Sequence, residues 1–297
     1  MSTFKYCAPR VTRDILPAEM QRRRWVDYIS SQLFSTWGYT EITTPVFEEV
    51  ALFTRSIGET TDIVEKEMYV FQDKKGRTMA LRPEGTAPVV RAVLENNMLI
   101  AGNTLKLFYS GKMYRYERPQ AGRYREFSQI GVEFFNSGSV YADYEILSLA
   151  HTFLRTVGIT NSNIYLNNLG CLDCRVKYRE QLVNYLSQNI QQFCTDCQRR
   201  SSINPLRVLD CKIDQDKLAD IPQITEFLCP ACRTHQEELL NLLQGSEIPY
   251  TVNPRLVRGL DYYTRTVFEI LPGLNTGSQD TILAGGRYDN LVSELGG

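Results

Sequence analysis

The chain has 297 residues, 43% of them hydrophobic and 23% charged, with a formal net charge of −1. That is ordinary soluble globular composition, with enough chain to core one large domain or two smaller ones. It excludes an overall basic field that would advertise nucleic acid, an apolar run of the about 18 residues a membrane helix needs, and a signal-peptide core in MSTFKYCAPRVTRD. The expected location is the cytoplasm, and in a reducing compartment the eight cysteines argue for thiol or metal chemistry over a disulfide framework.

An irregular lead ends in Asp14-Ile-Leu-Pro17, which opens a helix from about Glu19 to Gly38. Trp25, Ile29, Leu33 and Trp37 form a stripe on it that suits the core or a subunit interface. Tyr39–Pro45 is predicted as a strand stopped by proline, Glu48–Ile57 as a helix, and Gly58–Lys66 as a polar loop. Met68–Phe71 and Thr78–Leu81 pair around the turn Asp73-Lys-Lys-Gly76, and Arg82-Pro-Glu-Gly-Thr-Ala87 leads into a helix through about Asn96. Thr104–Ser110 is a further strand.

Lys112–Phe135, KMYRYERPQAGRYREFSQIGVEFF, is predicted as a hairpin with its turn in Pro119–Arg125. Side chains alternate along a strand, so Phe127, Gln129, Gly131, Glu133 and Phe135 share a face. With Arg115 placed opposite Gln129, the side chains of Arg115, Glu117, Gln129 and Glu133 project from one side, over a floor left by Gly131. Polar groups this dense on a sheet face are costly unless water or a ligand pairs them; a solvated face is the plainer alternative.

Asp143–Val157 is predicted as a helix with Ile146, Leu147, Ala150, Phe153, Leu154 and Val157 inward and His151 at the edge of that face. From Asn167 to about Gly245 the chain turns richer in Gln, Asn and Cys and mostly helical, with Leu182, Leu186, Ile190 and Phe193 in one stripe and PLRVLDC (205–211) as a short strand. The sheet pattern returns in Thr264–Leu271 and Thr281–Ala284, followed by Gly285-Gly-Arg-Tyr-Asp289 opening a helix. The expected fold is α+β: an antiparallel sheet flanked by helices, with a main domain at 1–166 and 248–297 interrupted by a small helical insertion at 167–247.

No GxxxxGK[ST] loop is present and no GxGxxG follows a strand, so phosphate would be bound by side chains, with Arg115, Arg123 and Arg258 as candidates. His151 and His235 lie outside every motif and receive no catalytic role. Cys171-x2-Cys174 and Cys194-x2-Cys197, with residues 175–193 between them, fit the spacing of a four-cysteine zinc site. Cys229-Pro-Ala-Cys232 competes for the same role, Cys211 is nearby, and buried free thiols are the alternative.

YTEITTP and FYSGKMYRYERPQAGRYREFSQIGVEFF resemble the first and second signature motifs of class II aminoacyl-tRNA synthetases. RPEGTA, LVRGLDYYTRTVFEI and LAGGRYDNLV narrow the resemblance to the histidyl-tRNA synthetase family, NPLRVLDCK resembles its inserted domain, and the likeness runs from about Ala8 to Gly297. It implies activation of L-histidine with ATP, as the Mg²⁺ complex, to histidyl-adenylate, followed by transfer to tRNA(His) by a homodimer joined through the 19–45 segment. By the same resemblance Arg115 and Arg258 hold the α-phosphate, Arg123 reaches the distal phosphates, and Glu117 contacts adenine. Glu84, Thr86 and Gln129 match positions that meet the α-amino group; Glu133, Tyr262, Tyr263 and Tyr288 match those around the imidazole.

The family continues past Leu295-Gly-Gly297 with a third motif and an anticodon-binding domain, so the sequence reads as a truncated form of such an enzyme. The rival class is an inert synthetase-like regulatory subunit of ATP phosphoribosyltransferase, and a pseudo-synthetase module in a larger sensor is a third. Arg115, Glu117, Arg123, Arg258 and both adjacent tyrosines, with the cysteine-bearing insertion, argue against the regulatory subunit.

Overall fold

The structure is a computed structural model and describes residues 6–58, 61–119, 122–273 and 281–297; positions 120 and 121, at the centre of the expected turn, lie outside them. Its centre is a hairpin of two ten-residue strands, Leu105–Tyr114 and Glu126–Phe135. The strand expected at Thr104–Ser110 and the first hairpin arm are therefore one continuous strand. Thr40–Glu41 adds a short parallel edge to it, which is all that Tyr39–Pro45 contributes to a sheet. The register also differs from expectation: Gln129 pairs with Gly111, and Arg115 donates its N–H to Arg125 O at 3.0 Å, beyond the last paired residues. Pairing fixes which residues face each other, and a period-two pattern is unchanged by an even shift, so the face assignment holds although the partner differs.

A second sheet runs in the order Leu283–Arg287, Thr264–Pro272, Ser162–Asn168, Tyr250–Val252, antiparallel except for its last pair. Gly285 and Gly286 pair with Phe268 and Val267, so they extend the sheet instead of opening a helix; the helix begins at Leu291. A third, small sheet joins Phe47–Glu49, Thr78–Leu81 and Val70–Gln72, and Asp73 closes its turn by accepting the N–H groups of Lys75 and Arg77. Glu48 and Glu49 are thereby drawn out of the predicted helix, which starts at Val50.

The helix Pro17–Thr36 begins with proline in its first turn, where the missing N–H costs nothing. Its stripe is only partly inside: Trp25 is 48% exposed, while Leu33, Phe34 and Trp37 meet Phe108, Leu149 and Phe153. Residues four apart drift about 40° around a helix at each step, so a strict fourfold stripe leaves the core within two turns. The helix Val140–Thr156 is capped by Ser139 and packs its Leu147, Ala150 and Leu154 against Ile164, Leu166 and Ile270 of the second sheet. The same cluster takes Leu239 and Leu243 of the helix Pro230–Gly245.

Between these, helices Leu172–Asn189 and Thr195–Ile203 and several single turns form a smaller helical layer. Tyr178, Leu182 and Leu186 pack in one core with Leu256, Val257 and Tyr262, so the layer is seated directly behind the LVRGLDYY segment. PLRVLDC is not a strand: Pro205–Val208 is a single 3-10 turn, closed by Arg207 N–H to Asn204 O at 3.0 Å. Proline presets the first turn residue, and no sheet among the described residues includes this segment.

Candidate active site

The polar face of the hairpin is built upon Tyr109, a residue the sequence pattern did not single out. Its ring lies across the face so closely that a Cβ on Gly131 or Gly85 would sit 2.3 Å from it. Gly131 is therefore not an open floor but the place where a buried aromatic crosses the strand. Gln129 Nε2 donates to the Tyr109 hydroxyl at 3.2 Å.

At the inner end of the face, Glu133 is 5% exposed and already has its partners. Thr86 Oγ1 donates to one carboxylate oxygen at 2.8 Å, and the Tyr288 hydroxyl donates to the other at 2.5 Å. Thr86 is delivered by the first turn of the helix Thr86–Glu95, and Tyr288 by the segment after the strand Leu283–Arg287. Burial pushes the Glu133 carboxyl up to about 7; the Tyr288 and Thr86 hydrogen bonds pull against it, and the nearby Glu84 charge adds to it. Tyr262 and Tyr288 are ring neighbours at 5.8 Å, and Tyr262 and Tyr263 at 4.7 Å. Burial raises Tyr109, Tyr262 and Tyr288 well above the usual phenol range and Tyr263 to about 12, so these groups stay protonated donors at neutral pH.

Glu84 lines the cavity and also has a structural task that the sequence did not show. Its two oxygens accept the N–H groups of Thr86 at 2.7 Å and Ala87 at 2.9 Å, so it caps the helix that carries Thr86. Burial raises its pKa against those bonds. Arg82 of the same motif is architectural: it donates to Thr44 O at 2.8 Å and to Lys112 O at 2.9 Å, tying the crossing strands together.

The outer end is cationic. Arg115 donates Nε to Pro83 O at 2.8 Å and lies over the Phe127 ring at 5.3 Å. Arg258 is ion-paired with Glu269, and burial lowers its pKa, with the like charge of Arg115 contributing. Arg123 pairs with Glu117 at 2.8 Å.

These side chains, Glu117 and Arg82 excepted, line one cavity of about 1870 Å³ that continues around the hairpin edge to the helix Pro17–Thr36. That exceeds the ~300–1,000 Å³ usual for a single small ligand. Asp210, Lys212 and Gln215 of the helical layer also line it, and Arg207 fixes that layer to the site by donating to Arg258 O at 3.0 Å. Nothing in their local sequence marks these residues as cavity walls.

In the cavity wall, with Asp143, Thr266 and Arg287 among its lining residues, lies a buried network that sequence reasoning missed. Asp143 accepts from Arg287 Nη1 at 2.6 Å, His235 Nε2 at 2.7 Å and Thr266 Oγ1 at 2.6 Å. Burial alone would raise the Asp143 carboxyl, yet the His235, Arg287 and Thr266 contacts hold it below the usual range. His235 is thus a structural partner, and its 92-residue separation from Asp143 hid it.

The cysteines are paired differently from expectation. Cys171 and Cys174 lie with Cys229 and Cys232, whereas Cys194 and Cys197 lie with Cys211 and Asp214. The two pairs joined by spacing alone are on opposite ends of the helix Leu172–Asn189, whose length of about 27 Å keeps them apart.

The histidyl-tRNA synthetase family model matches residues 11–297. The chain is 53% identical to a histidine–tRNA ligase of Endomicrobium trichonymphae over 99% of its own length and 70% of the relative's. The chain belongs to the histidyl-tRNA synthetase family. It is 50% identical to the histidine–tRNA ligase of Thermotoga petrophila, covering 68% of that protein. Its fold matches the crystal structure of apo histidyl-tRNA synthetase from S. aureus with a TM-score of 0.79 at 36% identity, over 98% of this chain and 68% of that one. The class II α+β fold expected from the motifs is borne out, and the regulatory-subunit reading is not favoured.

Proposed function

We propose that the chain activates L-histidine with ATP to histidyl-adenylate and pyrophosphate, and passes the histidyl group to tRNA(His). The observation that carries this is Glu133, a buried carboxylate held by Thr86 and Tyr288 at one end of a cavity whose other end carries Arg115, Arg123 and Arg258. An imidazole presents one donor and one acceptor; Glu133 supplies the acceptor and the buried phenols the donor. An apolar side chain of the same shape would leave them unpaired, the costly kind of mismatch.

With the ring so held, and the α-amino group met by Glu84, Thr86 and Gln129, the histidine carboxylate points toward the arginines. It attacks the α-phosphorus, the bond to the bridging oxygen breaks, and pyrophosphate leaves with that electron pair. Negative charge grows on the phosphoryl oxygens, and Arg115 and Arg258 stabilise it without water having to reorganise. Arg123 then serves the distal phosphates and Glu117 the adenine, which requires their mutual ion pair to open. In the transfer step a tRNA hydroxyl attacks the acyl carbon and AMP leaves.

Mg²⁺ is read as arriving with ATP and neutralising its phosphates. The oxygen donors nearest this end are the carboxylates of Glu67 and Glu117, hard ligands of the kind Mg²⁺ takes; burial and the Glu117 charge raise the Glu67 pKa, while Arg115 and Arg123 pull it down. The helix Pro17–Thr36, with Trp25 and Tyr28 exposed, supports a homodimer through the 19–45 segment. The proposed division remains a catalytic domain at 1–166 and 248–297 with an insertion at 167–247. No helix among the described residues is long and apolar enough to cross a membrane, in keeping with the proposed cytoplasmic location.

The test is histidine-dependent ATP–pyrophosphate exchange on the full-length protein. Exchange with histidine and with no other amino acid is expected. Absence of exchange with every amino acid, alongside retained histidine binding, would assign a regulatory role instead.

A further inference from the structure

The cysteines of the helical layer are not needed for adenylate chemistry, yet they converge. Cys171 stands immediately before the helix Leu172–Asn189, and Cys229 immediately before the helix Pro230–Gly245, so each CxxC occupies the first turn of a helix. The first turn brings residues three apart onto one face. As a result four thiols separated by 58 positions of sequence (171 to 229) meet, with all ligand atoms within 4.8 Å of one another. Cys171 and Cys174 Sγ are 3.5 Å apart, and the Cys229 N–H points at Cys174 Sγ from 3.1 Å.

Zinc–thiolate bonds of about 2.3 Å in a tetrahedron put neighbouring sulfurs about 3.8 Å apart, close to the spacing seen here. A disulfide needs about 2.05 Å. The surroundings are also built to leave space: Gly170 has φ +66°, and a Cβ there would fall 2.4 Å from Cys174 Cβ and 3.3 Å from Leu228. Asn168 locks the shell from behind, its Nδ2 donating to Cys232 O at 2.9 Å and its Oδ1 accepting the Gly170 N–H at 2.8 Å. Such outer-shell hydrogen bonds orient metal ligands. Cys174 and Cys232 are buried with Leu228, and Cys171 and Cys229 close the outer side.

We propose that Cys171, Cys174, Cys229 and Cys232 bind one structural zinc ion that staples together the two points where the helical layer leaves and rejoins the second sheet. The strand Ser162–Asn168 leads straight into Cys171, and the Arg265 N–H donates to Gly170 O at 2.9 Å, so the metal is anchored to the strand Thr264–Pro272. A staple here would hold Asp210, Lys212 and Gln215 against the cavity they line.

The other group, Cys194, Cys197, Cys211 and Asp214, is the competing location, with Cys194 and Cys211 Sγ 3.8 Å apart. Its carboxylate is already committed: Asp214 Oδ1 takes Lys217 Nζ at 2.8 Å, and Oδ2 takes the Cys194 N–H at 2.9 Å and the Cys211 thiol at 3.5 Å. That set is satisfied without an ion.

Elemental analysis of the full chain purified without chelator is expected to find about one zinc per chain. The variant Cys229→Ser/Cys232→Ser should lose it, and Cys194→Ser/Cys211→Ser should keep it. Iron in place of zinc, or zinc unchanged in the Cys229→Ser/Cys232→Ser variant, would overturn the assignment. Because a variant of this cluster can fail to fold, the wild-type protein supplies a second readout. In native protein, alkylation mapped by mass spectrometry should spare Cys171, Cys174, Cys229 and Cys232, and chelator treatment should make them react at least tenfold faster. No zinc on purification together with no Co²⁺ uptake on titration, or chelator-sensitive protection confined to Cys194, Cys197 and Cys211, would refute it.

Discussion

The two ends of the cavity differ in how ready they are. At the inner end, Glu133, Thr86 and Tyr288, the groups proposed to meet the imidazole, are already buried and hydrogen-bonded through the Glu133 carboxylate. At the outer end the cations are occupied by the protein's own carboxylates, Arg258 by Glu269 and Arg123 by Glu117. Selectivity for a small ring needs fixed, desolvated partners, because the penalty for a wrong side chain comes from leaving them unpaired. Phosphate needs charge more than shape, and ion pairs at partly exposed positions open at little cost.

The largest expected effect lies at the outer end. Arg258→Ala should lower histidine-dependent exchange by about 100-fold, the size typical of losing one fixed charge stabiliser in a transition state. The thermal midpoint should change little, since Glu269 is left partly solvated. Exchange within threefold of wild type would remove Arg258 from the chemistry and collapse the contrast between the ends.

Next in size is Glu133→Gln. A hydrogen bond to a charged group contributes about 1.5–3 kcal/mol, so histidine affinity measured by calorimetry should fall by roughly 10- to 100-fold, with ATP affinity unchanged. The substitution also tests linkage. The folded-state pKa of Glu133 is raised from 4.5 to about 7. Its contribution to stability is therefore fully present below the ordinary carboxylate pKa and is lost as pH rises through about 7. Denaturant titrations from pH 4 to pH 8 should show a downward component in wild type that the glutamine variant lacks. A parallel pair of curves would mean that folding leaves the pKa of Glu133 unchanged.

Tyr288→Phe removes one of the two donors to that carboxylate. A loss of about 1 kcal/mol, or roughly fivefold in histidine affinity, is expected. The pKa of Glu133 should move further up, visible as a shift of the pH profile for histidine binding. Smallest is Glu269→Gln, which frees Arg258 from its ion pair. Exchange measured at subsaturating ATP should rise by no more than about threefold, within the ~1 kcal/mol worth of a partly exposed pair. A decrease instead would make Glu269 a positioning residue for Arg258.

The two regions were also unequally legible. Short motifs held contiguous in sequence, such as RPEGTA and the YRYER to EFSQIGVEFF hairpin, disclosed the family and the faces of the strands through period-two alternation. They did so even though the Arg115–Gln129 pairing was displaced, because face depends on parity and pairing depends on the length of chain taken by the turn. Tyr109 escaped notice because an apolar-looking strand residue gives no sign that two glycines distant in sequence have made room for its ring. The Glu84 cap was hidden for a related reason: a carboxylate that suits an ammonium group also suits two backbone N–H groups, and only the helix start shows the second use.

What the sequence alone determined, through residue type and local spacing, was an α+β class II synthetase domain; guanidinium groups for phosphate, a carboxylate and phenols for a polar ring, and paired thiols for a metal are candidates it nominated. What only the tertiary structure decided was partnership across distance. Asp143 found His235 and Arg287, Arg207 found Arg258 O, and Cys171 and Cys174 found Cys229 and Cys232 instead of the nearer pair. Spacing along a chain limits which residues can meet, but a rigid helix of 18 residues such as Leu172–Asn189 carries neighbours in sequence away from each other and brings strangers together.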